Sequence, residues 1–323
     1  MAGPILITGA AGFAGSHLIE RLSGSADDVE LVAWARPGRA SMPAAPAIRW
    51  EEVDLLDAGA VRDSIERWRP DVVYHCAGAA HVGQSWNLTE PTFAVNVRGT
   101  HHLLQALVRA RARSRVFIPS SAMIYRTAEE PLTEDHPLVP ESPYGLSKLA
   151  QELLACRAMA DGLQITIARA FNHFGPRQDP SFVASSFARQ IADIEAGRHD
   201  PELVVGNLDA RRDLTDVRDT VHAYTLILER GEPGRPYNVC SGQAITIRKL
   251  LDLMVSRARV AIKIRVDPAR YRPNDVPLLV GDPTRIRREL GWTPEISIER
   301  TLDDLLEYWR KAESPTEEVR SER

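Results

Sequence analysis

Cysteine is scarce in this sequence and badly arranged for chemistry. Cys76, Cys156 and Cys240 are the only three in 323 residues. No CxxC pair and no Cys/His ligand spacing accompanies them, which excludes a disulfide framework and a structural zinc site and leaves buried free thiols. An excess of one charge is missing too. The formal net charge is −4, with acids and bases mixed along the chain, so electrostatics gives no reason to expect DNA, RNA or an anionic membrane as partner. No apolar run reaches the about 20 residues of a membrane span. Met1-Ala2-Gly3 leads directly into a strand rather than a signal peptide, so the expected location is the cytoplasm. No internal repeat occurs. At this length one large core, or one core with an appended lobe, can form.

What the sequence does have begins at Pro4-Ile5-Leu6-Ile7, a short strand running into Thr8-Gly9-Ala10-Ala11-Gly12-Phe13-Ala14-Gly15. An apolar helix pattern of Leu18, Ile19 and Leu22 follows. Strand, glycine turn and helix in that order make a dinucleotide-binding turn. Gly9 permits the tight turn, Gly12 lets the backbone approach a pyrophosphate, and Gly15 lets the helix pack on the sheet. Phe13 and Ala14 then supply the first helical N–H groups that face the anion. The spacing is GxxGxxG, the form used by short-chain dehydrogenases/reductases.

Further along, Leu31-Val32-Ala33, Ile48-Arg49-Trp50, Val72 to Cys76, Val116-Phe117-Ile118 and Ile165 to Ala168 read as strands. Continuous apolar runs imply strands covered on both faces, hence a parallel sheet. Helical periodicity separates them at Val61 to Trp68, Val97 to Val108 and Leu149 to Met159. The expected class is α/β, a doubly wound parallel Rossmann sheet with a smaller C-terminal α/β lobe. After Arg169, prolines and glycines punctuate shorter elements. The expected division is residues 1–170 for the dinucleotide-binding domain, rejoined by about 210–240. Residues 171–209 and 241–311 would form the lobe, and 312–323 a charged disordered tail. Helices are expected at Ile247 to Val255, opened by Thr246 as N-cap, and at Ile298 to Trp309.

Tyr144 and Lys148 stand at i and i+4, on one face of a helix that Ser142-Pro143 opens. A phenol is a poor acid–base group near neutral pH unless a nearby ammonium stabilises its ionised form, and Lys148 supplies that charge. Ser120-Ser121 ends the strand Val116 to Pro119, where the carboxyl edge of a parallel sheet opens on the cofactor crevice. Ser121 and Tyr144 can therefore hydrogen-bond a keto oxygen while a nicotinamide exchanges hydride with its carbon.

With these motifs in place, the chain resembles the extended short-chain dehydrogenases/reductases of the nucleotide-sugar epimerase/dehydratase group, from Gly3 to about Trp309. The resemblance implies a catalytic set of Ser121, Tyr144 and Lys148. It implies cofactor contacts at Gly9, Gly12, Phe13, Ala14 and Gly15, at Asp54 and Leu55 beside the adenine, at Ala77 and Gly78 in the turn after the fourth strand, and at Tyr144 and Lys148. His81 and Ser85, in Ala80-His81-Val82-Gly83-Gln84-Ser85, match a stretch beside the substrate. Ala170 to Pro176, Val205 to Asp213, Tyr237 to Gly242 and Arg272 to Pro277 resemble the GDP-mannose branch, and within it the GDP-6-deoxy-D-mannose reductases. Arg212 and Arg272 suit a pyrophosphate because guanidinium forks bind phosphate oxygens bidentately, and Asn172 offers an amide nearby.

Reaction type turns on Ser121-Ala122-Met123. Dehydratases of the group carry a carboxylate there to remove a proton beside the transient ketone, and a methyl or thioether cannot. Glu129 and Glu134 are the acids that the following loop could bring in. The expected activity is NAD(P)H-dependent reduction of GDP-4-keto-6-deoxy-D-mannose to GDP-D-rhamnose. GDP-mannose 4,6-dehydratase, nucleotide-sugar 4-epimerase and a non-catalytic dinucleotide sensor stand as alternatives. Where an acid would bind the ribose 2′-hydroxyl of NAD, position 35 is Ala, followed by Arg36 and later Arg39, so NADP(H) is favoured with NAD(H) possible. No metal is expected. Leu103, Leu104, Leu107 and Val108 on one helix, with Leu153, Leu154 and Cys156 on the next, exceed what one sheet face covers. Together with the family resemblance, this implies a homodimer through the two helices.

Overall fold

The computed structural model describes residues 3–24, 30–38, 48–271 and 276–312. Seven parallel strands make the main sheet. They are β1 (Ile5–Thr8), β2 (Leu31–Ala35), β3 (Ile48–Glu52), β4 (Val72–His75), β5 (Arg115–Ser121), β6 (Gln164–Ala170) and, after the lobe strands β7 (Asn172–Phe174), β8 (Glu202–Val205) and β9 (Arg211–Asp216), β10 (Pro236–Val239). Their spatial order is β3-β2-β1-β4-β5-β6-β10. The chain reverses its winding between β1 and β4, and a crevice opens there at the carboxyl ends of the strands.

The strands expected from apolar runs all form, because helices cover both faces. One face holds α1 (Phe13–Ser23) and, from the second half of the chain, α8 (Val217–Arg230). The other holds α2 (Ala58–Trp68), the helical run made by α3 (Val82–Ser85), α4 (Thr89–Phe93) and α5 (Thr100–Arg109), and α6 (Pro143–Ala158). Between α4 and α5 the backbone widens into a π-helical stretch, Ala94–Gly99. Such bulges re-aim side chains and often mark functional positions.

The lobe carries α7 (Val183–Glu195), α9 (Ile247–Val255) and α11 (Ile298–Ala312), with strands β11 (Ala244–Thr246), β12 (Lys263–Val266) and β13 (Leu278–Leu279), whereas α10 (Thr284–Leu290), expected in the lobe, packs Ile286 and Leu290 into the main-sheet core. Thr246 caps α9, its hydroxyl accepting from the Lys249 N–H at 3.0 Å. The strand β9 departs from the boundary expected near residue 210. It pairs with β7, β11 and β13 in a second sheet, while α8 and β10 lie on the main one. Arg211 to Asp216 thus join the lobe, because Leu214 packs into the lobe core and their backbone partners lie there. Ala312 ends α11, and the remainder of the tail lies outside the described residues.

Candidate active site

The glycine turn is shaped by close approach. Gly9 has φ +65°, and a Cβ there would lie 2.6 Å from the backbone of Ala77. A Cβ on Gly15 would lie 2.2 Å from the Gly9 carbonyl oxygen. Gly12 is the N-cap of α1, with no capping side chain and no acid in the first turn. The first N–H groups of α1 therefore remain for an external anion, which is what a dinucleotide pyrophosphate requires. Phe13 stacks on His173 with ring centroids 5.8 Å apart. Ala14 is half-buried beside it.

Asp54 is exposed and Leu55 buried just past β3, an acceptor and an apolar wall suited to a purine. His102 of α5 donates from Nδ1 to the Leu55 carbonyl at 2.8 Å and holds that loop. Arg36 is exposed after β2. Arg39 lies outside the described residues. Ala77 donates its N–H to Thr8 Oγ1 at 3.1 Å. Gly78 leaves room for Asn96, whose Oδ1 a Cβ would meet at 3.0 Å.

Ser142 caps α6 by accepting from the Gly145 N–H at 3.0 Å, with Pro143 in the first turn. Gly145 lets this helix end press on the turn Ala122–Ile124, since a Cβ there would lie 2.3 Å from the Met123 carbonyl oxygen. That contact sets Tyr144 beside Ser121. Burial raises the Tyr144 phenol above its usual range, and the adjoining Ser121 hydroxyl partly offsets this. Lys148 is buried, and its Nζ donates to Gln151 Oε1. Burial lowers this ammonium to about 8, against smaller opposing pulls from Cys76 and Glu152. Its recorded partner is thus Gln151, one turn further along α6 and two turns beyond the phenol it was expected to serve.

Ser85 requires a correction. It is 1% exposed, its hydroxyl donates to the Val82 carbonyl at 2.7 Å and accepts from the Tyr144 N–H at 3.1 Å. Both bonds are internal, so Ser85 anchors the start of α6 rather than touching substrate. His81 is the half-buried N-cap of α3, accepting from the Gln84 N–H at 3.1 Å with its ring against Phe182. Asn172 is exposed on β7 and Arg212 half-buried on β9. Arg272 lies outside the described residues.

Neither acid considered for elimination reaches this centre in a usable form. Glu129 is exposed on its loop. Glu134 is buried, accepting from the Asn238 N–H at 2.8 Å with Arg285 3.5 Å away. Among the described residues no three His, Cys, Asp or Glu side chains gather as a metal site would need. No helix there is long and apolar enough to cross a membrane.

One contributor escaped the sequence motifs. Asn96, fully buried on the π-helical stretch, brackets Ala79 through both amide atoms and donates to Ser147 of α6 at 2.9 Å. An asparagine among helical apolar positions was the available signal.

Residues 6–305 match the profile of the GDP-mannose 4,6 dehydratase family. The chain is 37% identical over 310 residues to a GDP-6-deoxy-D-mannose reductase of Pseudomonas aeruginosa, spanning 94% of this chain and 96% of that one. It is 28% identical over 287 residues to a GDP-mannose 4,6-dehydratase of Yersinia enterocolitica, spanning 78% and 76%. The solved structure of RMD from Pseudomonas aeruginosa complexed with NADPH superimposes with a TM-score of 0.85 at 34% identity, covering 96% of this chain and all of that one. A UDP-glucose 4-epimerase of Thermus thermophilus complexed with NAD does so at 0.85 and 28%, covering 96% and 99%. Matched almost end to end, with the glycine turn and the hydroxyl pair meeting at one sheet edge, the chain belongs to the GDP-mannose 4,6 dehydratase family of short-chain dehydrogenases/reductases.

Proposed function

We propose that this protein reduces the 4-keto group of GDP-4-keto-6-deoxy-D-mannose to give GDP-6-deoxy-D-mannose, that is GDP-D-rhamnose. The observation that carries this is the Ser121–Tyr144 pair at the carboxyl edge of β5 with Ala122 and Met123 where elimination would need a carboxylate. The similarity to a reductase over nearly all of both chains supports the same conclusion.

When bound, a reduced nicotinamide supplies the hydride to C4 of the sugar. The remaining work falls to the chain. Gly9, Gly12 and the first turn of α1 hold the pyrophosphate, while Asp54, Leu55, Ala77 and Gly78 frame the adenosine side. Arg36 takes the 2′-phosphate of NADP(H) in preference to NAD(H), a choice supported by Ala35 where an acid would select NAD. Ser121 hydrogen-bonds the keto oxygen, and Tyr144 gives its proton to that oxygen as the alcohol forms. Lys148 stabilises the phenolate left behind. His81 at the start of α3 and, from the lobe strands, Asn172 and Arg212 contact the GDP-sugar, with Arg272 as a further phosphate ligand. The enzyme works in the cytoplasm as a homodimer.

The test is direct. Purified protein given GDP-4-keto-6-deoxy-D-mannose and NADPH should consume both and form a GDP-6-deoxyhexose, detected by chromatography and NMR. Given GDP-mannose and catalytic NADP it should form no 4-keto product, and formation of one would replace the reductase by the dehydratase.

A further inference from the structure

We infer that Gln151 is a positioning residue for Lys148: its amide oxygen holds the lysine ammonium in the site, and its amide nitrogen is anchored through Thr100 and His75 to the dinucleotide-binding turn. The inference rests on the oxidoreductase site proposed above and goes beyond its serine, tyrosine and lysine.

Hydrogen-bond accounting leaves one arrangement. The Thr100 hydroxyl donates its single hydrogen to the Asn96 carbonyl at 2.7 Å. Its oxygen can then only accept, and two donors reach it: Gln151 Nε2 at 2.7 Å and His75 Nε2 at 2.8 Å. His75 therefore carries its proton on Nε2, and its Nδ1 accepts from Thr8 Oγ1 at 2.8 Å. Thr8 in turn accepts from the Ala77 N–H. A flipped Gln151 amide would set its NH2 against the Lys148 ammonium and its oxygen against a Thr100 oxygen with no hydrogen to give. The oxygen is thus obliged to face Lys148.

Gln151, Thr100 and Thr8 are fully buried and His75 is 1% exposed, so water cannot substitute for a missing partner without entering the core. Among the described residues, Gln151 Oε1 is the one hydrogen-bond acceptor recorded for Lys148 Nζ. The titratable groups around the ammonium are His75 and Cys76 from the end of β4, and Tyr144 and Glu152 from α6. Glu152 is already paired with Arg169 of β6 at 2.6 Å. The helical run Ala94 to Arg109 brings Asn96 and Thr100 to the network, neither of them titratable. Burial, and then the Lys148 charge, push His75 down to about 3, so it stays neutral and keeps its single-donor role.

The sequence makes a direct measurement possible. It has four lysines, and Lys249, Lys263 and Lys311 are all exposed. In protein carrying 13C at the lysine ε-carbon, the Lys148 resonance is the one absent from Lys148→Arg. It should titrate near 8. Gln151→Leu removes the acceptor of the charged form and should lower that midpoint by about one pH unit or more. Gln151→Glu places a carboxylate there and should raise it.

Opposite displacements in two folded variants are what a merely structural glutamine would not produce. An unchanged Lys148 midpoint in both, or displacement in the same direction, would overturn the inference. Should the leucine variant fail to fold, the glutamate variant decides alone by the direction of its change. In active protein the alkaline limb of kcat/KM should follow the same midpoints. A protein inactive on 4-keto sugars whose Lys148 still responds with both signs would retire the reductase proposal and leave this one standing.

Discussion

Tyr144 enters the neutral pH range fully protonated, because burial raises its phenol, and a proton donor is what ketone reduction consumes. Tyr144→Phe should therefore lower turnover by about 10²-fold or more, the usual scale of lost general acid catalysis, with dinucleotide binding by fluorescence titration little changed. Near-normal turnover would remove Tyr144 from its role. Ser121→Ala should cost less, since it deletes one hydrogen bond to the keto oxygen and leaves the donor. Arg36, exposed beyond β2, is tested by the cofactor pair. Arg36→Ala should raise KM for NADPH by at least about tenfold, the scale of a lost charged hydrogen-bond pair, with KM for NADH little altered. Equal effects on both would mean a solvated arginine. Residues such as Gly9, Gly15, Tyr144 and Lys148 could be picked out from sequence because their chemistry dictates spacing along the chain. The roles of Ser85, Asn96 and Gln151 could not, since each depends on a partner from another element that only folding brings near.

At the scale of elements, the contact between α6 and the turn after β5 decides whether the phenol meets the serine. Gly145→Ala forces a methyl within 2.3 Å of the Met123 carbonyl oxygen, a backbone atom with nowhere to go. The helix start must shift, at a cost of about 1–3 kcal/mol, which thermal unfolding would register. Because Tyr144 moves with it, kcat should fall by more than stability alone explains, whereas an unaltered kcat would show that the contact does not set the geometry. The main-sheet strands were legible because burial on both faces writes continuous apolar runs. β9 was not: its polar start, Arg211-Arg212-Asp213, gives no sign of which sheet it joins, and its neighbours come from β7, β11 and β13 across the lobe. The π-helical stretch was equally hidden, since Ala94 to Gly99 keeps ordinary helical composition while its backbone widens to bury Asn96.

Two properties belong to the molecule as a whole, its response to acid and its assembly. His17 donates from Nε2 to the Pro176 carbonyl at 2.9 Å and is held by burial at about 4. The unfolded chain binds the proton near 6.5 and the folded chain refuses it until about 4, so stability falls as pH drops through that window, by roughly 1.4 kcal/mol per pH unit. Chemical denaturation should show His17→Gln losing less stability than the wild type between pH 6.5 and 4, and parallel losses would refute the assignment. The α5 leucines from which a dimer was expected are not available to form one. Leu103, Leu104 and Leu107 are at most 3% exposed, spent on the chain's own core. The apolar surface lies one face further out, where Leu146 and Leu153 of α6 are 49% and 60% exposed. Beside them Phe93, Ala94, Val97 and Leu154 line an apolar groove between the two helical segments. A two-fold axis through this face would set each α6 against its copy, and every substitution would then act twice. Light scattering should give twice the 35.9 kDa chain mass at micromolar concentration. Leu153→Glu, which sets like charges near the axis, should shift the protein to monomer. Since Tyr144 and Lys148 stand on the same helix, activity should fall with the dimer, and a monomer that keeps full turnover would end the argument for assembly-dependent order at the site.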